Sequence, residues 1–83
     1  MGDGETLMDE YTLELDLSGV AAPAYLLRAK WALDVLEPGQ TLCIVTTASS
    51  AVKDFEAWSL QSGNPLLVKQ VLSGKFRFVM VKT

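Results

Sequence analysis

The stretch LELDLSGVAAP, residues 13–23, decides the fold. Leu13, Leu15 and Leu17 alternate with polar side chains, which is the period-two pattern of a β-strand with one buried face. Pro23 suits the first turn of a helix, where its missing N–H would have had no partner. The stretch therefore predicts a strand that leads directly into a helix.

The rest of the chain shows alternating strand and helix patterns. Pro38-Gly39 and Gly63 are helix-ending signals, Ser49 or Ser50 can cap the second helix, and Ser73-Gly74 suits a hairpin turn. The predicted elements are a strand from about Tyr11, a helix over 23–36, a strand over 41–46, a helix over 50–62, and strands over 66–72 and 75–82.

The order βαβαββ predicts an α/β (α+β) two-layer sandwich. Right-handed crossovers place both helices on one face of a mixed four-stranded sheet and leave the other face uncovered. On a helical wheel the inner face of the first helix carries Leu26, Ala29, Leu33 and Leu36. In the second helix, Val52, Phe55 and Leu60 are expected to face the sheet, and Trp58 to lie in the core.

Length and charge indicate one small domain. The chain has 83 residues, of which 49% are hydrophobic, and its formal net charge is −3. Residues 1–10 are acidic and lack periodicity, so we expect a flexible acidic tail before a domain at 11–83. The chain has no cluster of lysine or arginine residues that would favour binding to nucleic acid. No apolar run reaches the ~20 residues that a membrane-spanning helix needs. We expect a cytoplasmic protein.

The residue types exclude most kinds of catalytic site. Cys43 is the one cysteine and histidine is absent, so no internal disulfide can form. Zinc and copper sites draw on several such ligands, and a hydrolytic triad needs a base beside its nucleophile. We expect neither a metal nor a cofactor, and we expect Arg28, Lys30, Lys53 and Asp54 to be solvated helix charges.

The spacing of a few residues carries a family resemblance. Residues 15–23, with Gly19 and Pro23, resemble the start of TusA/SirA-like proteins, and Pro38-Gly39, Asp54 and Gly63 continue the match. The resemblance covers about residues 11–82. It implies the two-layer fold and a place among sulfur-carrier and sulfurtransferase proteins.

The resemblance also implies a site, and here the sequence departs from the family pattern. In the Cys-Pro-x-Pro motif of the family, the cysteine at the start of the first helix carries sulfur as a persulfide. Ala22 stands in its place before Pro23, Tyr25 replaces the second proline, and Ala48-Ser49 replaces an Asp-Pro. We expect no catalytic residue, and a Tyr25 that either closes over Ala22 and crowds it or packs beside Leu36 and Ala29.

Three functional hypotheses follow. The first is a non-catalytic protein-interaction module. The second is an active sulfur carrier, either because Ala22 is an engineered replacement of cysteine or because Cys43 has taken over. The third is a small-ligand binder that uses a pocket between Ala22, Tyr25 and the loop at 46–50.

Two apolar surfaces are candidates for an interface with a protein partner or a second copy. Leu27, Trp31 and Val35 lie within about 80° on the outer side of the first helix, where an amphipathic surface helix is polar. Cys43 and Val45, together with Val79 and Val81, are expected on the uncovered sheet face. An exposed tryptophan is typical of an interface anchor, so the helix surface is the preferred candidate.

Overall fold

The computed structural model describes residues 11–83. It contains β1 Leu13–Leu17, α1 Ala24–Asp34, β2 Thr41–Thr46, α2 Ala51–Ser62, β3 Leu66–Leu72 and β4 Lys75–Val81. The order βαβαββ is confirmed, and the bounds agree with the sequence prediction to within two residues for every element. The acidic segment 1–10 lies outside the described residues.

The four strands form one mixed sheet in the order β1-β2-β4-β3. β1 pairs with β2 in parallel, and β4 pairs antiparallel with both β2 and β3. A parallel pair cannot be joined by a tight turn and needs a crossover, which α1 supplies. The register places Leu15 beside Ile44 and Leu17 beside Thr46. The alternating side chains of β1 and β2 therefore share one face, which the helices cover.

Phe55 of α2 lies at the centre of the core. Its ring centroid is 5.7 Å from that of Tyr25, 5.9 Å from that of Trp58 and 5.2 Å from that of Phe78. The rings are tilted against one another, an arrangement that adds to the stabilisation from buried area. The core thus joins both helices and the central strand β4 through a single aromatic cluster.

The inner faces of the helices differ from the wheel prediction at two residues. Tyr25 is fully buried on the inner face of α1, beside Ala29, whereas Leu60 of α2 is 85% exposed. Leu60 lies five residues after Phe55, which is about 140° around the helix and places it on the outer side. The prediction that Leu60 faces the sheet is wrong, and the prediction that Trp58 is in the core is confirmed, since Trp58 is 8% exposed.

The buried phenol of Tyr25 joins the amino-terminal ends of the two helices. Its hydroxyl donates a hydrogen bond to the carboxylate of Asp54 and lies 2.7 Å from the hydroxyl of Ser50. Because the phenol has one proton, which goes to Asp54, the Ser50 hydroxyl donates to the Tyr25 oxygen. Ser50 makes no side-chain capping bond to α2 and Asp54 is half-buried, so neither residue has its expected role.

This setting also determines how Tyr25 titrates. Burial raises the pKa of the Tyr25 phenol above its ordinary value, and the hydrogen bond to the Asp54 carboxylate raises it further. The folded chain therefore holds this proton more tightly than the unfolded chain does. Below pH of about 10 the contribution to stability is fully present, and it is lost as the pH rises through the folded-state pKa.

We predict that Tyr25→Phe lowers the free energy of unfolding by about 1.5 kcal/mol at neutral pH, because a hydrogen bond to a charged group is lost. The free energy of unfolding of the variant should also fall less steeply with rising pH above about 10, because phenylalanine has no proton to lose. Urea denaturation at neutral pH and above pH of about 10 measures both effects.

The matched control is Tyr11→Phe, which removes a phenol hydroxyl that bonds Glu14 on the surface. Because Tyr11 is 36% exposed, we expect this change to cost under about 0.5 kcal/mol. Equal losses for the two variants would contradict the role assigned to the buried hydroxyl.

Candidate functional site

The turn between β1 and α1 is held by side chains near the carboxyl ends of β1 and β2. The Asp16 carboxylate accepts hydrogen bonds from the Ser18 hydroxyl at 2.7 Å and the Ser18 N–H at 3.0 Å, and these bonds lower the pKa of Asp16. Gly19 adopts φ +79°, a conformation that side chains rarely allow. Its N–H donates to Thr47 Oγ1 at 2.9 Å, which ties this turn to the loop after β2.

Ala22 lies at the amino-terminal end of α1, the place that the sequence resemblance implies for it. Ala22, Pro23 and Ala24 are exposed, so a side chain at residue 22 is open to an approaching molecule. The Tyr25 N–H donates to the Ala21 carbonyl at 3.2 Å, and the Leu26 N–H donates to the Pro23 carbonyl at 3.1 Å. Some N–H groups of the first turn are therefore hydrogen-bonded to nearby carbonyl groups. The positive end of the helix dipole lies at this turn, beside Ala22.

Tyr25 does not cover Ala22, and of the two positions expected for it the structure shows the one in the core beside Ala29. The Tyr25 side chain points away from the surface and is fully buried against Phe55, Ser50 and Asp54. It therefore occupies the space between α1 and the start of α2 that a small-ligand pocket would need. The sequence favours this second position, since Tyr25, Ala29, Ala32 and Leu36 follow the i, i+4, i+7, i+11 spacing of one helix face.

Cys43 lies in the middle of β2, between Glu14 of β1 and Val79 of β4. It faces away from the helices, as the alternation predicts, because its neighbours Leu42 and Ile44 belong to the core cluster. The thiol is nevertheless inaccessible, since Cys43 is 1% exposed. A reactive cysteine needs access to its partner and a setting that favours the thiolate. The position of Cys43 supplies no access.

The sheet face opposite the helices offers less apolar surface than the sequence suggests. Val79 is 3% exposed, and Val45 and Val81 are half-buried. The Arg77 guanidinium lies 6.0 Å from the centroid of the Tyr11 ring and donates to Gln70 Oε1 at 2.9 Å. Polar and charged groups therefore border this face, and it is a poor candidate for a large apolar contact.

The outer side of α1, in contrast, is as exposed as the sequence predicts. Leu27 is 49% exposed, Trp31 is 62% exposed and Val35, just after the helix, is 74% exposed. We call these three residues the α1 stripe. A cavity of about 300 Å³, lined by Pro23, Leu26, Leu27 and Lys30, adjoins its amino-terminal end. The stripe thus extends to the turn that carries Ala22.

Other kinds of site find little support within residues 11–83. No helix among these residues is long and apolar enough to cross a membrane. The same part of the chain brings no three histidine, cysteine or carboxylate side chains into a group that could hold a metal ion.

Comparison with known proteins finds similar sequences over most of this chain. A sequence model of the family described as "Sulfurtransferase TusA" matches residues 13–82. The sulfur carrier protein TusA of Allochromatium vinosum is 40% identical over 92% of this chain and all of its own length. A putative sulfur carrier protein of Neisseria meningitidis serogroup A is 38% identical over 80% of this chain and 89% of its own.

A solved structure shares the fold. The crystal structure of a SirA-like protein from Desulfitobacterium hafniense superposes with a TM-score of 0.73 at 18% identity. The match covers 84% of this chain and 96% of that chain. It confirms the predicted mixed sheet with two helices on one face.

We predict that Ala22→Cys creates a thiol with a pKa below about 8.5, because it places sulfur at the open amino-terminal end of α1. Alkylation with iodoacetamide across pH, followed by intact mass, measures this pKa. The control is the parent chain, whose Cys43 should react far more slowly in the native state and rapidly in urea. Alkylation of native Cys43 at the rate of free cysteine would contradict its burial.

Proposed function

The chain belongs to the TusA family of sulfurtransferases, and we propose that it is a member that does not carry sulfur and instead acts as a protein-interaction module. The observation that supports the proposal is the pair of positions just described. Ala22 stands at the exposed amino-terminal end of α1, while the one cysteine of the chain is buried in β2.

The chemistry of a persulfide explains why these positions matter. A carrier thiolate must attack the terminal sulfur of a donor persulfide, which leaves the donor as a thiolate and the carrier with the S–S bond. The alanine methyl group at residue 22 has no electron pair for this attack. Cys43 has one, but the donor sulfur must come within bonding distance, and 1% exposure leaves no path in the folded state.

The turn and the helix surface beside Ala22 are nevertheless available for a contact. The turn before α1 is fixed by the Gly19–Thr47 bond, and the adjoining cavity and the α1 stripe are open to solvent. Sulfur carriers work in relays with partner proteins, so their surfaces serve docking as well as chemistry. A member without the thiol keeps the docking function and engages a protein through the outer side of α1.

The competing hypothesis, a carrier that uses Cys43, is tested by a sulfur-loading experiment. We predict that the parent chain, incubated with a cysteine desulfurase and free cysteine, gains no sulfur by intact mass. Ala22→Cys should gain one sulfur atom, because its thiol is exposed and lies at the amino-terminal end of the helix.

Two controls complete this experiment. Cys43→Ser in the Ala22→Cys background should load to the same extent, which assigns the adduct to residue 22. Reduction with dithiothreitol should remove the added mass, as expected for a persulfide. Stoichiometric sulfur on Cys43 of the parent chain would overturn the proposal that this chain is not a carrier.

A further inference from the structure

The α1 stripe is more apolar than the folding of the domain requires. Leu27, Trp31 and Val35 follow one another at intervals of four residues, while the opposite side of α1 already packs on the sheet through Tyr25 and Ala29. Large apolar side chains grouped on a surface mark contact sites, and tryptophan is the residue that most often dominates them. The question is which partner the arrangement fits.

The stripe is symmetric about Trp31. Leu27 lies four residues before it and Val35 four residues after it. When two identical helices pack antiparallel across a twofold axis at Trp31, Leu27 of each faces Val35 of the other, and the two tryptophans meet at the centre. A twofold interface needs a patch that is complementary to itself. We propose, building on the interaction function above, that α1 pairs antiparallel with α1 of a second copy of this chain.

The charges beside the stripe fit the same arrangement. With Leu27 at 0° on the helical wheel, Asp34 lies about 20° and Lys30 about 60° to one side. The twofold axis brings this flank of one helix against the same flank of the other. Lys30 then lies within one helical turn of Asp34 of the second copy, and the pair occurs twice.

Neither charge is paired within the described residues of one chain. Lys69 with Glu56 is the side-chain ion pair that residues 11–83 show, and it joins β3 to α2. Within α1, Lys30 precedes Asp34 by four residues, which is the less favourable order against the helix dipole. Both side chains are exposed, so each is available to the second copy.

The shape of the surface also agrees. The cavity lined by Pro23, Leu26, Leu27 and Lys30 lies at the amino-terminal end of the stripe. In an antiparallel pair the carboxyl-terminal end of the second helix, with Asp34 on the same flank, comes to lie beside this cavity. Each copy offers the other one such end and one such cavity.

The expected interface is small. A stable dimer generally buries about 800 Å² per partner, and three apolar side chains with a charged rim provide less than that. The pairing is therefore weak and depends on concentration. Sedimentation equilibrium of the full chain, from micromolar to millimolar concentration, should show the mass rising from that of one copy toward that of two.

The first variants test the surface. Trp31→Lys should remain a monomer at every concentration, with a cooperative thermal transition that shows an intact fold. Leu60→Lys is the matched control, because it places the same charge at an exposed leucine on the outer side of α2. Its dimerisation should equal that of the parent, and a loss equal to that of Trp31→Lys would overturn the assignment to α1.

The second variants test the antiparallel register. Lys30→Asp and Asp34→Lys should each weaken dimerisation roughly fivefold, because each places like charges together across the axis. The double variant Lys30→Asp/Asp34→Lys should restore the parent affinity. Failure of the double variant to recover would overturn the proposed register.

The outcome is separable from that of the sulfur-loading experiment. A parent chain that stays monomeric up to millimolar concentration overturns the pairing with a second copy, whatever its sulfur content. A dimer that takes up sulfur on Cys43 keeps the pairing and overturns the non-carrier function.

Discussion

The parallel pairing of β1 with β2 is the constraint on which the rest of this structure depends. Leu15 beside Ile44 sets a register that no tight turn can connect, so the chain must cross over through α1. The crossover fixes the amino-terminal end of α1 beside the carboxyl ends of both strands. The same step turns one side of α1 toward the sheet and the other toward solvent, which separates the core of the domain from the α1 stripe.

Tyr25 links the two helices of the domain. The family resemblance places a proline there, and a proline has no side-chain group that could reach α2. The phenol of Tyr25 instead spans the space between the helices and bonds Asp54 and Ser50. Tyr25 is therefore part of the core, while Ala22, three residues earlier, is exposed.

The sequence predicts the elements of this fold well, because each prediction rests on local periodicity. The alternating leucines of β1 and the spacing of Leu27, Trp31 and Val35 identify a strand and an outer helix face without knowledge of the rest of the chain. The roles of Tyr25 and Cys43 depend on other elements. The Tyr25 hydroxyl can bond Asp54 only when α2 packs on α1. The burial of Cys43 depends on the side chains beside it on β1 and β4, and the strand register determines which side chains these are.

The α1 stripe requires an explanation other than the stability of the monomer. A side chain that is exposed in both the folded and the unfolded chain gains little hydrophobic free energy from folding, and Trp31 and Val35 keep most of their surface in water. The inner side of α1 already supplies the contacts that hold the helix on the sheet. An exposed tryptophan also raises the risk of nonspecific association, which a polar residue at the same position would avoid. The free energy that these side chains can release is therefore that of a contact with another molecule, which is the role proposed for the outer side of α1.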